Sequence, residues 1–312
     1  MGNENINEEF SGITFEEAKK RIADMTLVNN FLFNSVMENP EIAKEVSQIV
    51  ISTVVGHKVI IQDAVGEKVL TGLDNGLHGV RFDALIGVDD SDEDCKCSRV
   101  AYDFEVEDRK ADKPGIPRRQ RYYSSMVDSK LFESSLKYEE LPQYVSITVF
   151  SYDPFGADDM YYEARTVLTS HPDLCYDDGR TNYFFYGKGK NNLPTEKFNK
   201  KAVADLMKYI VTGEKSDESN DAVGMLDDIV LNVKKKSEVT RSYMKEWDRQ
   251  RIHDIELTEQ VTQKVSSEIQ DVYKWLYDNG RVDDIGKATT DSVFYQKVLL
   301  EYKENIAVGM HS

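Results

Sequence analysis

The sequence predicts an α/β fold: a mixed sheet covered by helices, followed by a mainly helical C-terminal extension. Three observations lead there. Apolar residues recur at helical spacing over residues 14–54 and then at alternate positions in segments between 58 and 107. A helical pattern at 118–137 is inserted before a strongly apolar strand at 144–152, which suggests a mixed rather than a purely antiparallel sheet. Beyond residue 221 the pattern is helical and heavily charged.

Residues 1–12 are polar and acidic and read as a flexible tail. Thr14 followed by Glu17 predicts a capping box at the first helix. Leu27, Phe31, Val36 and Met37 continue at helical spacing. Asn39-Pro40 marks a break, with Pro40 suited to the first turn of the next helix. That helix takes Ile42, Val46, Ile49 and Val50 as its apolar face.

Strands are expected at 58–62, 80–88 and 100–107, the last two forming a hairpin across a polar turn. The third strand alternates. Val100, Tyr102, Phe104 and Val106 share one face, and Asp103, Glu105 and Glu107 share the other. Residues 108–117 form a charged loop with Pro114, Gly115 and Pro117. On the helix that follows, Tyr122 with Met126 and Val127 with Leu131 lie four apart. Leu141-Pro142 ends that region before the strand at 144–152. Further strands are expected at 160–168 and 183–186, and a helix at 198–211. A polar stretch at 213–220, helical sequence over 221–277, a turn at Asp278-Asn279-Gly280 and a helix at 292–302 complete the chain. The expected division is a tail at 1–12, a domain at 13–212 and a helical extension at 221–312, serving as an appendage or an oligomerisation arm.

Of the 312 residues, 40% are hydrophobic, enough for a core. No apolar run approaches the length of a membrane helix, and no basic-then-apolar leader opens the chain, so a cytoplasmic protein with no membrane partner is expected. Gly2 lacks the Ser or Thr of a myristoylation signal. Cys95, Cys97 and Cys175 are too few for a disulfide framework, and Cys95-x-Cys97 has no companion ligands for a zinc site. A net charge of −17 disfavours general binding to nucleic acid, because phosphate recognition rests on Lys and Arg. A local basic patch or a bridging cation would have to overcome it.

Other chemistries find no support. The Gly187-Lys-Gly-Lys stretch lacks phosphate-loop spacing and reads as a flexible turn. His57, His78, His171 and His253 form no cluster, and Ser124 and Ser125 have no nucleophile-elbow setting. The acidic row is more suggestive. Glu105 and Glu107 project together, and Asp83 on the neighbouring strand can face the same side. Three converging carboxylates repel unless a cation joins them, and magnesium favours such oxygen donors. A cation so held can contact a phosphodiester and activate water. Acids alternating with apolar residues are equally the pattern of a half-exposed strand.

Five segments carry a resemblance. They are Phe31-Leu-Phe-Asn-Ser-Val-Met-Glu-Asn-Pro-Glu, Gly79-Val-Arg-Phe-Asp-Ala-Leu, Tyr102-Asp-Phe-Glu-Val-Glu, Arg118-Arg-Gln-Arg-Tyr-Tyr-Ser-Ser-Met, and Asp153-Pro-Phe-Gly. In this order over residues 25–156 they resemble the bacterial PD-(D/E)XK nuclease family transposases, or recombination-promoting nucleases. Looser similarity reaches about residue 247, including Gly187-Lys-Gly-Lys-Asn and Tyr243-Met.

The resemblance implies a restriction-endonuclease-like core. It makes Asp83 and Glu105 ligands of magnesium or manganese, with Glu107 completing the catalytic set. Position 107 departs from the pattern: nuclease relatives carry Lys there and this family usually Gln. Glu107 cannot supply positive charge, so it acts as a third ligand or base, or it marks lost activity. Arg109 or Lys110 stands near enough in sequence to substitute. Glu45 is either an additional acid or a solvent-facing residue. Lys110, Arg118, Arg119 and Arg121 are candidate DNA-phosphate contacts, or a solvated face with cations set against the helix dipole. Tyr122 and Tyr123 either stack on bases or pack in the core.

The implied function is a metal-dependent DNA endonuclease, a hydrolase of phosphodiester bonds linked to mobile elements or recombination. The alternative is a catalytically inactive nuclease-fold protein that binds nucleic acid or protein. DNA and, through the C-terminal helices, a second copy of the chain are the expected partners.

Overall fold

The structure, a computed structural model, describes residues 12–64, 68–70, 80–82, 84–89, 99–131, 137–216 and 221–309; for 62–99 the description is of backbone pairing. Two compact units emerge, Ile13–Met244 and one containing Lys245–Ser312.

The first unit opens with three helices. α1 (Phe15–Asp24) begins at the expected capping box. The Glu17 N–H donates to Thr14 Oγ1 at 3.3 Å, and the Thr14 N–H donates to Glu17 Oε2 at 3.0 Å. α2 (Asn30–Met37) is capped by Asn29, and α3 (Pro40–Val55) by Asn39 with Pro40 in its first turn. Asn39 Oδ1 accepts from the N–H groups of both Glu41 and Ile42, each at 3.1 Å, which satisfies donors that a helix start otherwise leaves open.

The strands are β1 (Val59–Ala64), β2 (Lys68–Leu70), β3 (Val80–Phe82), β4 (Ala84–Asp89), β5 (Arg99–Glu107), β6 (Gln143–Phe150), β7 (Tyr161–Ala164) and β8 (Arg180–Tyr186). Six form one mixed sheet in the order β1-β4-β5-β6-β8-β7. The pairs β1/β4, β4/β5 and β7/β8 are antiparallel, while β5/β6 and β6/β8 are parallel. The expected hairpin is the β4/β5 pair, in register from Ala84↔Asp103 to Val88↔Arg99. The strand expected at 80–88 is two strands, because β3 pairs with β2 in a separate two-stranded sheet. The polar turn between β4 and β5, with Cys95 and Cys97, lies outside the described residues, as does Asp83.

The parallel β5–β6 connection requires a crossover, which α4 (Ile116–Leu131) supplies after a short 3-10 turn at Lys110–Gly115. α4 starts two residues earlier than the pattern suggested and is described to Leu131; the rest of the stretch expected to be helical, 132–136, lies outside the described residues. β7 stops short of the expected strand, at Ala164, since the chain from 165 to 178 is exposed and Val167 and Leu168 project outward. β8 is longer than expected because its whole length pairs with β6.

The main core lies on the apolar face of β5. Val100, Tyr102, Phe104 and Val106 pack with Leu32, Phe33, Val46 and Val50 of α2 and α3 and with Leu206 and Ile210 of α5 (Lys200–Thr212). The Phe104 and Phe33 rings meet edge to face at 5.4 Å. α6 (Asp221–Lys234) buries Val223, Leu226, Val230 and Val233 in the same core. The first unit therefore runs on to Met244, beyond the boundary expected at 212.

The opposite face of β5 is covered too. Ala101 packs under Met126 and Val127 of α4 beside Tyr144 of β6. The strand is thus buried on both sides, where the alternating sequence suggests a wet face.

α7 (Ser237–Asp278) leads into the second unit, which continues with α8 (Val282–Thr290) and α9 (Ser292–Gly309). Val272, Leu276, Val298 and Leu299 form its small core. Gly280, at φ 70°, makes the turn after α7 that an L-side chain would resist. Among the described residues no helix is long and apolar enough to cross a membrane.

Candidate functional site

The acidic row runs along the β5 face beneath α4. Parallel pairing sets Asp103 beside Ser146 and Glu105 beside Thr148, so the side chains of both strands face α4 together. Asp103 is fully buried, and the Tyr144 hydroxyl donates to its Oδ2 at 2.8 Å. Glu107 is only 4% exposed. Its Oε1 accepts from the Arg109 N–H at 2.8 Å, and its Oε2 pairs with Arg119 Nη1 at 2.6 Å. Glu105, between them, is partly exposed.

Gln120 ties the rest of the face. Its Nε2 donates to Thr148 Oγ1 at 3.2 Å, while Ser146 Oγ donates to its Oε1 at 3.0 Å. All three side chains are buried, so both ends of the amide meet the demand that buried polar groups be bonded.

The electrostatics follow from this packing. Burial pushes the Tyr144 hydroxyl well above its ordinary range, and the adjoining Asp103 carboxylate adds to the shift. Burial does the same for Tyr123, reinforced by the charge of Glu105. Burial works against the Arg119 charge, but Glu105 and the bond to Glu107 outweigh it and raise its pKa. Among the described residues the row is therefore faced by the permanent cation of Arg119 and the neutral phenols of Tyr123 and Tyr144.

The structure brings Glu105, Glu107 and Arg119 together as one group. Asp83 cannot be placed with them, because it lies outside the described residues; its neighbour Ala84 pairs with Asp103. Arg118 and Arg121 are exposed on α4, and Lys110 is exposed at the start of the 3-10 turn. Arg109 acts on the row through its backbone N–H. Glu45 is exposed on α3, a helix packed on the apolar side of β5, away from the row. Tyr122 and Tyr123 are half-buried against the Ala101–Met126–Tyr144 cluster, the core role rather than base stacking.

Asp103, Tyr144, Gln120, Ser146 and Thr148 are the residues that motif reasoning did not bring into the site. Their signal in sequence is Ser146 and Thr148 at alternate positions of an otherwise apolar strand. Polar residues kept at one face of a buried strand need partners there.

Carboxylate oxygens suit a hard divalent cation. Among the described residues, however, no group of three His, Cys, Asp or Glu side chains is arranged to hold one. Asp103 is bonded to Tyr144 and Glu107 to Arg119. A metal set built on Glu105 thus needs a ligand from outside the described residues.

Two turns lie just beyond the ends of β6 and β8. Asp153 closes the Asp-Pro-Phe-Gly turn after β6. It accepts from the N–H groups of Phe155, Gly156 and Asp158 at 3.0, 2.8 and 2.8 Å and from the Tyr162 hydroxyl at 2.8 Å. Burial opposes its ionisation, but these donors bring its pKa down to about 2. Lys113, just before α4, donates to the Asp153 carbonyl at 3.0 Å and fastens the turn to the crossover. At Gly187 the chain passes so close to α5 that a Cβ would lie 2.3 Å from the Met207 carbonyl oxygen. The glycine is there for close approach as well as for a turn.

Compared with family models, with curated proteins and with solved structures, the chain matches none.

Proposed function

We propose that the protein is a metal-dependent endonuclease of the PD-(D/E)XK type, hydrolysing DNA phosphodiester bonds at the acidic row of β5. The carrying observation is that row itself: buried Asp103 and Glu107 flank partly exposed Glu105 on a central strand, beneath a helix that brings Arg119 against Glu107. Burying carboxylates is unfavourable without compensation, so such a row points to a purpose. Glu105 and Asp83 are the proposed ligands of magnesium or manganese. When bound, the ion supplies Lewis acidity and an activated water. Asp103, held by Tyr144, and Glu107, held by Arg119, keep the strand's acid face rigid. Arg118, Arg121 and Lys110, exposed around α4, are the proposed phosphate contacts, a local basic patch on a chain of net charge −17.

A supercoiled plasmid incubated with magnesium or manganese tests the reading. The parent should nick or linearise it, and Asp83→Ala should not; equal rates for the two would place the chemistry elsewhere.

One observation favours a second reading, a nuclease-fold protein that binds without cutting. Within the protein, Asp103 is engaged by Tyr144 and Glu107 by Arg119. That reading predicts DNA or protein binding with no metal-dependent cleavage at any protein concentration.

A further inference from the structure

The Glu107–Arg119 pair asks for an explanation of its own. The two side chains are unequally buried, Glu107 at 5% exposure and Arg119 at 25%. One edge of the guanidinium is fixed, through Nη1 to Glu107 at 2.6 Å. Its Nε is buried and finds no acceptor among the described residues. The charge of Glu105 acts on the same group. A guanidinium is a rigid planar fork whose N–H groups serve two acceptors at once. Here one acceptor is a buried carboxylate, and the side chain, 25% exposed, still reaches solvent.

We propose that Arg119 is the oxyanion-binding residue of this site and Glu107 its positioning residue. The anchored guanidinium donates to a non-bridging oxygen of a phosphodiester lying beside Glu105. The proposal rests on the phosphodiester reading and deepens it. It also gives Glu107 a role that its departure from the usual Gln or Lys leaves open. A Lys at 107 would bring a cation on the strand but would repel Arg119. A Glu at 107 brings the cation from the helix instead. The two arrangements are alternatives, and this chain has the second. Of the arginines on α4, Arg118 and Arg121 are exposed and free to meet DNA outside the row, whereas Arg119 reaches into it.

The experiment has two arms, with Arg119→Lys included as the variant that keeps charge and bulk. In the first, inorganic phosphate is titrated into metal-free parent and Arg119→Met protein, and the thermal midpoint is followed. Phosphate should raise the parent's midpoint, leave that of Arg119→Met unmoved and give a partial response in Arg119→Lys. In the second, cleavage kinetics are measured for Arg119→Met, Glu107→Gln and the double variant. Arg119→Met should lower kcat about 100-fold, with KM changed far less, and Arg119→Lys should recover part of that loss. Glu107→Gln should lower kcat in the Arg119 parent and add nothing in the Arg119→Met background. Equal phosphate shifts in parent and Arg119→Met overturn the proposal, and additive kinetic losses overturn the anchoring role. A parent that cuts nothing, yet shows the Arg119-dependent phosphate shift, leaves the oxyanion site standing and removes the hydrolytic reading.

Discussion

Replacing Tyr144 with Phe removes one oxygen and isolates the bond that holds the buried end of the acidic row. The Tyr144 hydroxyl and Asp103 Oδ2 are 2.8 Å apart, and both residues are at most 1% exposed. The phenyl ring would stay packed against Ala101, Met126 and Val127, so little volume is lost. What goes is a hydrogen bond to a carboxylate, worth about 1.5–3 kcal/mol when its partner is left buried. For a unit of this size each kcal/mol moves the midpoint by about 2–4 °C, so a fall of roughly 3–12 °C is expected. Far-UV circular dichroism is the appropriate probe, because Trp247 and Trp275, the two tryptophans, both lie beyond Met244 in the second unit. The control is Asp103→Asn. If the bond is what matters, Tyr144→Phe should destabilise the Asp103→Asn protein less than the parent, with a coupling of at least about 1 kcal/mol. A Tyr144→Phe protein within about 0.5 kcal/mol of the parent would refute the reasoning, because a change that small is what surface substitutions produce.

Gly187→Ala would drive a methyl group into the backbone of α5, 2.3 Å from the Met207 oxygen and 2.8 Å from its carbonyl carbon; a loss of about 1–3 kcal/mol in a denaturant melt is expected, and a neutral result would contradict that close approach. Asp153 has its folded-state pKa depressed from 3.8 to about 2, so the stability it confers is fully present above the unfolded value and is lost as the pH falls through about 2. Asp153→Asn should therefore differ most from the parent near neutral pH and converge with it towards pH 2, read from thermal midpoints across that range.

Local rules made much of the fold legible in the sequence. The Thr14/Glu17 capping box and the Asn39-Pro40 helix start depend on residues within one turn, and both are present as expected. The two faces of β5 follow from a period of two, and its apolar residues do line the main core. The missed features depend on contacts between distant segments. β3 separates from β4 because residues 68–70, unassigned in the pattern, provide it with another partner. α6 belongs to the first unit because its valines meet α2 and α3, elements far away in sequence.

The site shows the same division. That Glu105 and Glu107 share a face is a matter of spacing. That Arg119 turns inward to Glu107 while Arg118 and Arg121 remain exposed depends on how α4 sits on the sheet. A run of basic residues in sequence gives no sign of which member is turned inward. The burial of Asp103 likewise depends on Tyr144, 41 residues later, reaching it from the adjacent parallel strand.

Glu105→Gln keeps the side chain's size and removes its charge, so it decides whether the acidic row is a phosphodiester-cleaving centre. Single-turnover cleavage of a duplex in manganese should be measured for the parent and for Glu105→Gln, with thermal melts to establish that both are folded. The parent should cleave, and the variant should show no cleavage above background. Cleavage by folded Glu105→Gln at the parent's rate would contradict that role for the row.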